Sequence, residues 1–235
     1  MMKTVLLGYY NNIYAIETVV RCHNRGVNVD AIVFQGETPR KLNEHVLQER
    51  TPTITKPRIT DIEHLGIPCY FVKNLNHEAS LSILSRLEPD IILQGMGPIY
   101  KPGLLKIPKI GILNSHPGLL PRYQGCSAVE WSIYFDDEVG STCHFIDEGV
   151  DTGPIITSSS FEVCRRDTYQ DVRTKSFYHE VDTLVKGLQM VIDGFRWKDA
   201  TPQINGTYHK VAPPEVMKTV CNKLEGGTYK HCINR

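Results

Sequence analysis

Short apolar runs alternate with segments of helical periodicity along the N-terminal half of this chain. The runs occupy residues 3–7, 29–34, 68–72 and 90–93. Between the first two runs, apolar residues recur at helical spacing, at Ile13, Ile16, Val19 and Val20. Further helix-compatible segments cover 61–65 and 78–87. Alternating strands and helices of this kind favour a parallel sheet with helices on both faces. The sequence therefore predicts an α/β, doubly wound, mainly parallel (Rossmann-like) sheet.

The C-terminal half predicts two more strands and one long helix. The strands are expected at 142–146 and 155–163, and the helix at 167–195. Beyond the helix, proline and glycine recur often enough to predict a loop-rich tail. We expect a catalytic domain over residues 1–195 and a small C-terminal extension over 196–235.

Composition excludes several broad classes. Lys and Arg together number 26, and so do Asp and Glu, so net charge gives no reason to expect binding of bulk nucleic acid. Seven scattered cysteines without Cys-x-x-Cys spacing predict reduced thiols and no metal site. No run approaches the ~20 apolar residues of a membrane span. These features together predict a soluble, cytoplasmic protein.

The most specific segment reads LNSHPGLLPRYQG, at residues 113–125. Asn114 and His116 are two positions apart at the end of an apolar run, so they project from the same side of a strand end. In open α/β sheets, ligands bind at the carboxyl ends of the strands. Gly8 and residues 94–98 are expected at the same edge, which places Asn114 and His116 where a site is expected.

A second segment, DEGVDTGP, follows at residues 147–154 and contains Asp151. An amide, an imidazole and a carboxylate that meet in one cleft can stabilise an oxyanion, move a proton and orient the group that moves it. Asn114, His116 and Asp151 are therefore predicted as one catalytic set. Taken singly, His116 has the alternative reading of a structural histidine, and Asp151 that of a turn residue.

The text from Pro108 to Ile156 resembles the folate-dependent formyltransferases, the group that contains methionyl-tRNA, glycinamide ribonucleotide and sugar N-formyltransferases. The resemblance covers the Asn-x-His-Pro core, the Leu-Pro-x-Tyr-x-Gly turn, Trp131 and the Asp-x-Gly-x-Asp-x-Gly loop, in that order. It implies transfer of a formyl group from 10-formyltetrahydrofolate to an amine. Asn114 would then stabilise the oxyanion, and His116 and Asp151 would manage protons.

The same resemblance implies that two loops bind the folate through backbone groups. One loop follows the fourth strand, and the other precedes the catalytic aspartate. The implied residues are Gly95, Met96, Gly97, Pro98, Ile99, Ile146, Asp147, Glu148, Gly149 and Val150. Ordinary strand-end turns are the alternative interpretation of these loops.

The acceptor is predicted from differences within the family. The first loop reads GYYNNIYA, at residues 8–15, whereas glycinamide ribonucleotide formyltransferases carry a Gly- and Ser-rich phosphate loop there. Residues 125–133 resemble the tRNA and sugar branch. Only about 40 residues follow the long helix, and NGTYHK at 205–210 resembles a segment of the sugar branch. These features favour a small-molecule partner, a nucleotide-linked amino sugar, with Tyr9, Tyr10 and Tyr123 as substrate contacts.

Several alternatives stay open at this point. Other acceptors are glycinamide ribonucleotide, methionyl-tRNA and water, the last giving a hydrolase. A non-catalytic folate- or nucleotide-binding module is a further reading. Residues 35–60 form a surface loop or a substrate lid. The tail either forms a homodimer contact or closes over the substrate.

Overall fold

The computed structural model describes residues 2–37, 54 and 58–234. Its centre is a seven-stranded sheet in the spatial order β3-β2-β1-β4-β5-β7-β8. Its strands are β1 (Thr4–Tyr10), β2 (Ala31–Glu37), β3 (Cys69–Val72), β4 (Ile91–Gly95), β5 (Gly111–His116), β7 (Gly140–Phe145) and β8 (Ile155–Ser160). The first five in spatial order are parallel, whereas β7 runs antiparallel to β5 and β8 antiparallel to β7. The predicted α/β, mainly parallel sheet is confirmed.

The helices of the described residues are α1 (Ile13–Asn24), α2 (Thr60–Glu63), α3 (Glu78–Leu87), α4 (Pro102–Leu105), α5 (Ala128–Tyr134), α6 (Tyr169–Ile192) and α7 (Pro214–Glu225), with a 3₁₀ turn at Trp197–Asp199. Two-residue strands β6 (Gln124–Gly125) and β9 (Val163–Cys164) pair with β10 (Tyr208–His209) and β11 (Cys232–Ile233). Local chemistry starts the long helix, because Thr168 and Asp171 form a capping box at the start of α6.

Two apolar layers cover the sheet, one on each face. Alternate strand residues such as Leu6, Ile32 and Leu113 pack under α1 and α6, and the intervening ones, such as Leu7 and Ile112, pack under α3 and α4. This two-residue alternation assigns each strand side chain to one face. On β5, Asn114 and His116 therefore share the α3 and α4 face with Ile112, and Ser115 shares the α6 face with Leu113.

The tail departs from the loop-rich expectation. Helix α7 covers Pro214–Glu225 and buries Val216, Val220 and Leu224 against α5 and the start of α6. Pro213 and Pro214 begin this helix instead of breaking it, since proline fits a first-turn position whose N–H has no helical partner. The predicted boundary between a domain over 1–195 and an extension over 196–235 stays a prediction.

The bounds of other strands differ from the predicted bounds by a few residues. Strand β1 continues past Gly8 to Tyr10, and the predicted strand 155–163 is divided into β8 and β9. Most of the 35–60 segment lies outside the described residues. Among the described residues, no helix is long and apolar enough to cross a membrane.

Gly187 allows α6 to lie close to β7. A larger residue at this position tests how tightly the helix packs on the strand. A Cβ at Gly187 would lie 2.3 Å from the Sγ atom of Cys143, which is fully buried. We expect Gly187→Ala to lower the free energy of unfolding by about 1–3 kcal/mol, because overpacking outweighs the gain in helix propensity. Urea unfolding followed by circular dichroism measures this.

The matched control is the same substitution in a Cys143→Ala background. Removal of Sγ makes room for the added methyl group, so Gly187→Ala should cost less there than in the wild type. An equal cost in both backgrounds would show that the Cys143 contact does not limit the approach of α6.

Candidate active site

The site is built where β5 ends and β7 runs past it in the opposite direction. The pairing sets Asn114 opposite His144 and His116 opposite Thr142. Directly paired residues in an antiparallel ladder project on the same face. Asn114, His116 and His144 are therefore neighbours on one face of the sheet, at the carboxyl end of β5.

Asn114 is oriented by His144. The Nδ1 atom of His144 lies 2.8 Å from the carbonyl oxygen of Phe145, a contact that requires a proton on Nδ1. In the neutral ring, the other nitrogen is then an acceptor, and Nε2 lies 3.1 Å from Nδ2 of Asn114. Asn114 thus donates one amide hydrogen to His144. The second hydrogen of the same amide is left for a ligand.

His116 is held at both ring nitrogens. Nε2 lies 2.6 Å from the carbonyl oxygen of Tyr123, and Nδ1 lies 3.3 Å from Oδ2 of Asp151. Burial lowers the pKa of His116, although Asp151 and the Tyr123 carbonyl partly oppose that effect. A neutral imidazole has one proton for two acceptors, and a protonated one satisfies both. His116 is therefore suited to taking up a proton and giving it back.

Asp151 joins the two histidines. Its Oδ2 atom accepts from the backbone N–H of Gly125 at 3.0 Å and faces His116, and its Oδ1 atom lies 3.7 Å from Nε2 of His144. Burial alone would raise the pKa of Asp151, but the contacts with His144, His116 and Gly125 outweigh burial and lower it. The carboxyl group is therefore ionised at neutral pH.

The loop that carries Asp151 is fixed by its own turn. Asp151 has a φ of 56°, a left-handed conformation that costs energy for a residue with a side chain. Asp147 braces the turn by accepting from the Thr152 hydroxyl at 2.6 Å and from Gly149 N–H at 3.0 Å. At Gly153, a Cβ would lie 1.8 Å from the Phe145 carbonyl oxygen, so only glycine fits.

The tail also holds this loop. The side-chain amide of Gln203 donates to the carbonyl oxygens of Asp151 and Gly153, at 2.9 and 2.7 Å. Its oxygen accepts from Gln124 at 3.0 Å. Gln203 thus links Gln124 of β6 to the Asp151 loop.

A pocket lies beside these residues on the same face. Its wall includes Asn114, His144 and Asp151, together with Gln94, Pro98, Ile99, Tyr100, Ile146, Asp147, Gly149 and Val150. Six of the predicted folate residues are in this wall. The other four, Gly95, Met96, Gly97 and Glu148, are not. Gly95 instead packs on α1, and the Met96 carbonyl accepts from Tyr9 N–H at 2.9 Å.

The predicted substrate tyrosines have different surroundings. Tyr123 is 1% exposed and its hydroxyl donates to Asp137, so stacking of its ring on a substrate does not fit the structure. Its backbone carbonyl oxygen instead accepts a hydrogen bond from the His116 ring. Tyr10 packs edge-on against Phe34 and Phe71. Tyr9 is partly exposed, and burial raises its pKa.

Three residues of the site were missed by sequence reasoning. His144 lies in the predicted 142–146 strand and projects on the same side as Thr142. The sequence does not reveal how this strand pairs with β5, so it does not place His144 opposite Asn114. Gln203 is 52 residues from Asp151, and no local pattern marks it. Tyr208 is 57% exposed, and its ring covers Gly125, where an added Cβ would lie 2.7 Å from the ring.

The mainly parallel sheet makes this an α/β protein, and an amide, two imidazoles and a carboxylate lie together at the end of β5. The sequence family described as formyl transferase matches residues 2–188. The chain belongs to this family, which confirms the resemblance predicted from residues 108–156.

Methionyl-tRNA formyltransferases are among the proteins that are similar in sequence to this chain. Methionyl-tRNA formyltransferase of Pelotomaculum thermopropionicum is 29% identical over 196 residues, covering 82% of this chain and 59% of the relative. Several curated relatives are longer, and the chain spans about three fifths of their length or less.

Two solved structures share the fold. An N-formyltransferase from Helicobacter canadensis, in complex with folinic acid and dTDP-3-aminofucose, gives a TM-score of 0.64 at 18% identity, with 96% of this chain and 81% of that one covered. Phosphoribosylglycinamide formyltransferase from Anaplasma phagocytophilum gives 0.65 at 20% identity, with 89% and 99% covered. At these identities, the likeness shows the fold alone.

The lowered pKa of His116 predicts a pH dependence of stability. The unfolded chain takes up a proton at this position near pH 6.5, whereas the folded chain resists it, so folding is penalised as pH falls below 6.5. We expect His116→Asn to lose less stability than the wild type between pH 7.5 and pH 5.5. Urea unfolding at the two pH values measures the difference, and an equal loss in both proteins would contradict the assignment.

Proposed function

We propose that this chain transfers a formyl group from 10-formyltetrahydrofolate to a primary amine, and that the amine belongs to a nucleotide-linked amino sugar. Family membership supports the reaction class. The observation that carries the proposal is the pairing of Asn114 with His144 and of His116 with Asp151 beside one pocket.

The bound donor would supply an electrophilic formyl carbon, and the residues of the chain act on the charges that develop around it. Asn114 cannot ionise, and its free amide hydrogen can donate to the oxygen that becomes negative when the amine attacks. Because His144 accepts the other hydrogen, the donor is oriented before the reaction begins. Such preorganisation avoids reorientation during the reaction.

Proton transfer is assigned to His116 and Asp151. The attacking nitrogen gains a positive charge and must lose a proton, and the leaving nitrogen must receive one. The ionised Asp151 carboxylate attracts the positive charge and stabilises a proton on His116 at 3.3 Å. Neither residue changes its net charge over a full turnover, since the proton is passed on.

The pocket wall fits a flat, polar heterocycle. Tyr100 lines it with a buried hydroxyl that has no hydrogen-bond partner among the described residues. Pro98, Ile99 and Val150 supply apolar surface, as binding pockets for small molecules usually do.

We propose that the acceptor binds beside Gly125 and Tyr208, next to Asp151. Gly125, which donates to the carboxylate, is covered by the exposed ring of Tyr208. An exposed aromatic face beside the reacting centre suits stacking on a nucleobase or packing against a sugar. The balance of 26 basic and 26 acidic residues favours a small acceptor over a large polyanion.

The role of Asn114 predicts a large kinetic effect. We expect Asn114→Ala to lower kcat by about 10²–10³, because one oxyanion donor contributes ~3 kcal/mol to barrier lowering. Loss of 10-formyltetrahydrofolate and formation of the formylated amine are followed by chromatography and mass spectrometry. The control is Asn222→Ala on the exposed side of α7, which should retain wild-type kcat. Unchanged kcat in Asn114→Ala would exclude the assigned role.

A panel of acceptors tests the substrate class. It contains UDP- and dTDP-linked amino sugars, glycinamide ribonucleotide and initiator methionyl-tRNA, with a no-amine reaction to detect hydrolysis. We expect the highest kcat/KM with an amino sugar nucleotide. Tyr208→Ala should then raise KM for this acceptor about ten-fold, with little effect on KM for the donor, because one aromatic contact contributes about 1–1.5 kcal/mol.

The other results separate the alternatives. Preference for glycinamide ribonucleotide or tRNA would retain formyl transfer and overturn the acceptor. Turnover without amine would identify a hydrolase, and tight folate binding without any turnover would identify a binding module.

A further inference from the structure

Three consecutive residues at β6 each contact the pair formed by His116 and Asp151, by three different routes. The Tyr123 carbonyl oxygen accepts from Nε2 of His116 at 2.6 Å. The Gly125 N–H donates to Oδ2 of Asp151 at 3.0 Å. Between them, Gln124 reaches the backbone of Asp151 through a side chain of the tail. The relative position of His116 and Asp151 is therefore set from one short segment of the chain.

The side chain of the tail is Gln203, and its partners fix the orientation of its amide. Nε2 of Gln203 donates to the carbonyl oxygens of Asp151 and Gly153, at 2.9 and 2.7 Å, which uses both hydrogens of the NH₂ group. Oε1 of Gln203 accepts from Nε2 of Gln124 at 3.0 Å. The reversed amide would direct an oxygen atom at two carbonyl oxygens. We call Gln124 and Gln203 the amide clamp.

The tail also holds the other half of the amide clamp. A Cβ at Gly206 would lie 2.4 Å from Nε2 of Gln124, so the glycine leaves room for the Gln124 amide. The backbone N–H of Gln124 donates to the Thr207 carbonyl oxygen at 3.0 Å, and Gln124 pairs with Tyr208 between β6 and β10. Gln124 is 7% exposed. The tail therefore contacts Gln124 through both its backbone and its side chain.

Asp151 depends on such support because its backbone is strained. Its φ of 56° lies in the left-handed region, which costs energy for a residue with a side chain. Relaxation of that backbone would move the carboxylate, which is attached to the same Cα. Asp147 braces the loop only internally, since its partners Gly149 and Thr152 belong to the same loop. Gln203 instead ties the loop to β6.

The position of Asp151 affects how readily His116 takes up a proton. Because Nε2 of His116 donates to a carbonyl oxygen, a second proton must bind at Nδ1, which lies 3.3 Å from Oδ2 of Asp151. Burial lowers the pKa of His116 and His144 adds to that effect, whereas the charge of Asp151 opposes it. Movement of the carboxylate away from Nδ1 would weaken this opposition and lower the pKa of His116 further.

We propose that Gln203 is a positioning residue for formyl transfer, and that the amide clamp keeps the Asp151 carboxylate directed at His116. This proposal rests on the function proposed above. Gln203 does not line the pocket beside Asn114, so it acts through the Asp151 loop and not by binding the donor. Loss of the amide clamp therefore slows proton transfer and leaves donor binding intact.

The kinetic test replaces Gln203 by methionine, which has a similar length and no N–H group. We expect Gln203→Met to lower kcat about 10- to 100-fold, with KM for the donor changed less than about two-fold, because misplacement of a catalytic group by about 1 Å has an effect of this size. Gln203→Glu should lose at least as much, since a carboxylate is polar but has no hydrogen for the two carbonyl oxygens.

The matched control is Gln189→Met on the exposed side of α6. This substitution also removes an amide hydrogen bond, the one to Asp193 at 2.9 Å, and should retain wild-type kcat. Unchanged kcat in Gln203→Met would overturn the proposal, and so would full activity in Gln203→Glu.

A double-mutant cycle tests whether Gln124 and Gln203 act as one unit. Gln124→Met breaks the amide clamp from the other side, so the double variant should have a kcat close to that of Gln203→Met alone. If the two single effects multiply instead, the residues act separately and the amide clamp is excluded.

The titration of His116 tests the alignment without any turnover. NMR of labelled histidine follows its ring, whose signal is assigned by its loss in His116→Asn. We expect the pKa of His116 to be lower in Gln203→Met than in the wild type, and equal to the wild-type value in Gln189→Met. An unmoved titration in Gln203→Met would overturn the proposal even if the chain transferred no formyl group. A lowered pKa in a chain without formyl transfer would support the positioning of Asp151 and overturn only the proposed function.

Discussion

The antiparallel pairing of β5 with β7 is the constraint on which the site depends. The strands from β3 to β5 in spatial order are all parallel, and parallel strands bring their carboxyl ends to the same edge. Reversal at β7 instead carries the middle of a strand past the end of β5. His144 thereby lies opposite Asn114, and the chain that leaves β7 returns over this edge with Asp151. One reversed strand thus supplies the imidazole that orients Asn114 and leads into the loop that carries Asp151.

The charge of Asp151 follows from its surroundings. Burial alone would raise the pKa of its carboxyl group, but two imidazoles and the backbone N–H of Gly125 outweigh burial and lower it. The ionised carboxylate can therefore act on His116 through its charge as well as through their contact at 3.3 Å.

Local sequence signals predicted the parts of this structure that local chemistry determines. Residues 78–87 were predicted as a helix from their spacing and are α3, and the Asn-x-His step predicted the shared direction of Asn114 and His116. Contacts between distant parts of the chain were not predicted, because the partners of His144 and Gln203 are 30 and 52 residues away. Tyr123 was misjudged because tyrosine is equally suited to ligand stacking and to a buried hydrogen bond, here with Asp137.

The tail segment around Gln203 and Tyr208 connects the proposed acceptor contact to the position of Asp151. Gln203 fixes the backbone of the Asp151 loop, and five residues later Tyr208 covers Gly125, whose N–H binds the same carboxylate. Strand β10, which contains Tyr208, also pairs with β6 at Gln124 and Gly125. An acceptor that presses on Tyr208 would therefore act on both supports of Asp151 at once. Substitutions on the proposed acceptor face of this tail must therefore preserve the backbone contacts that hold Asp151.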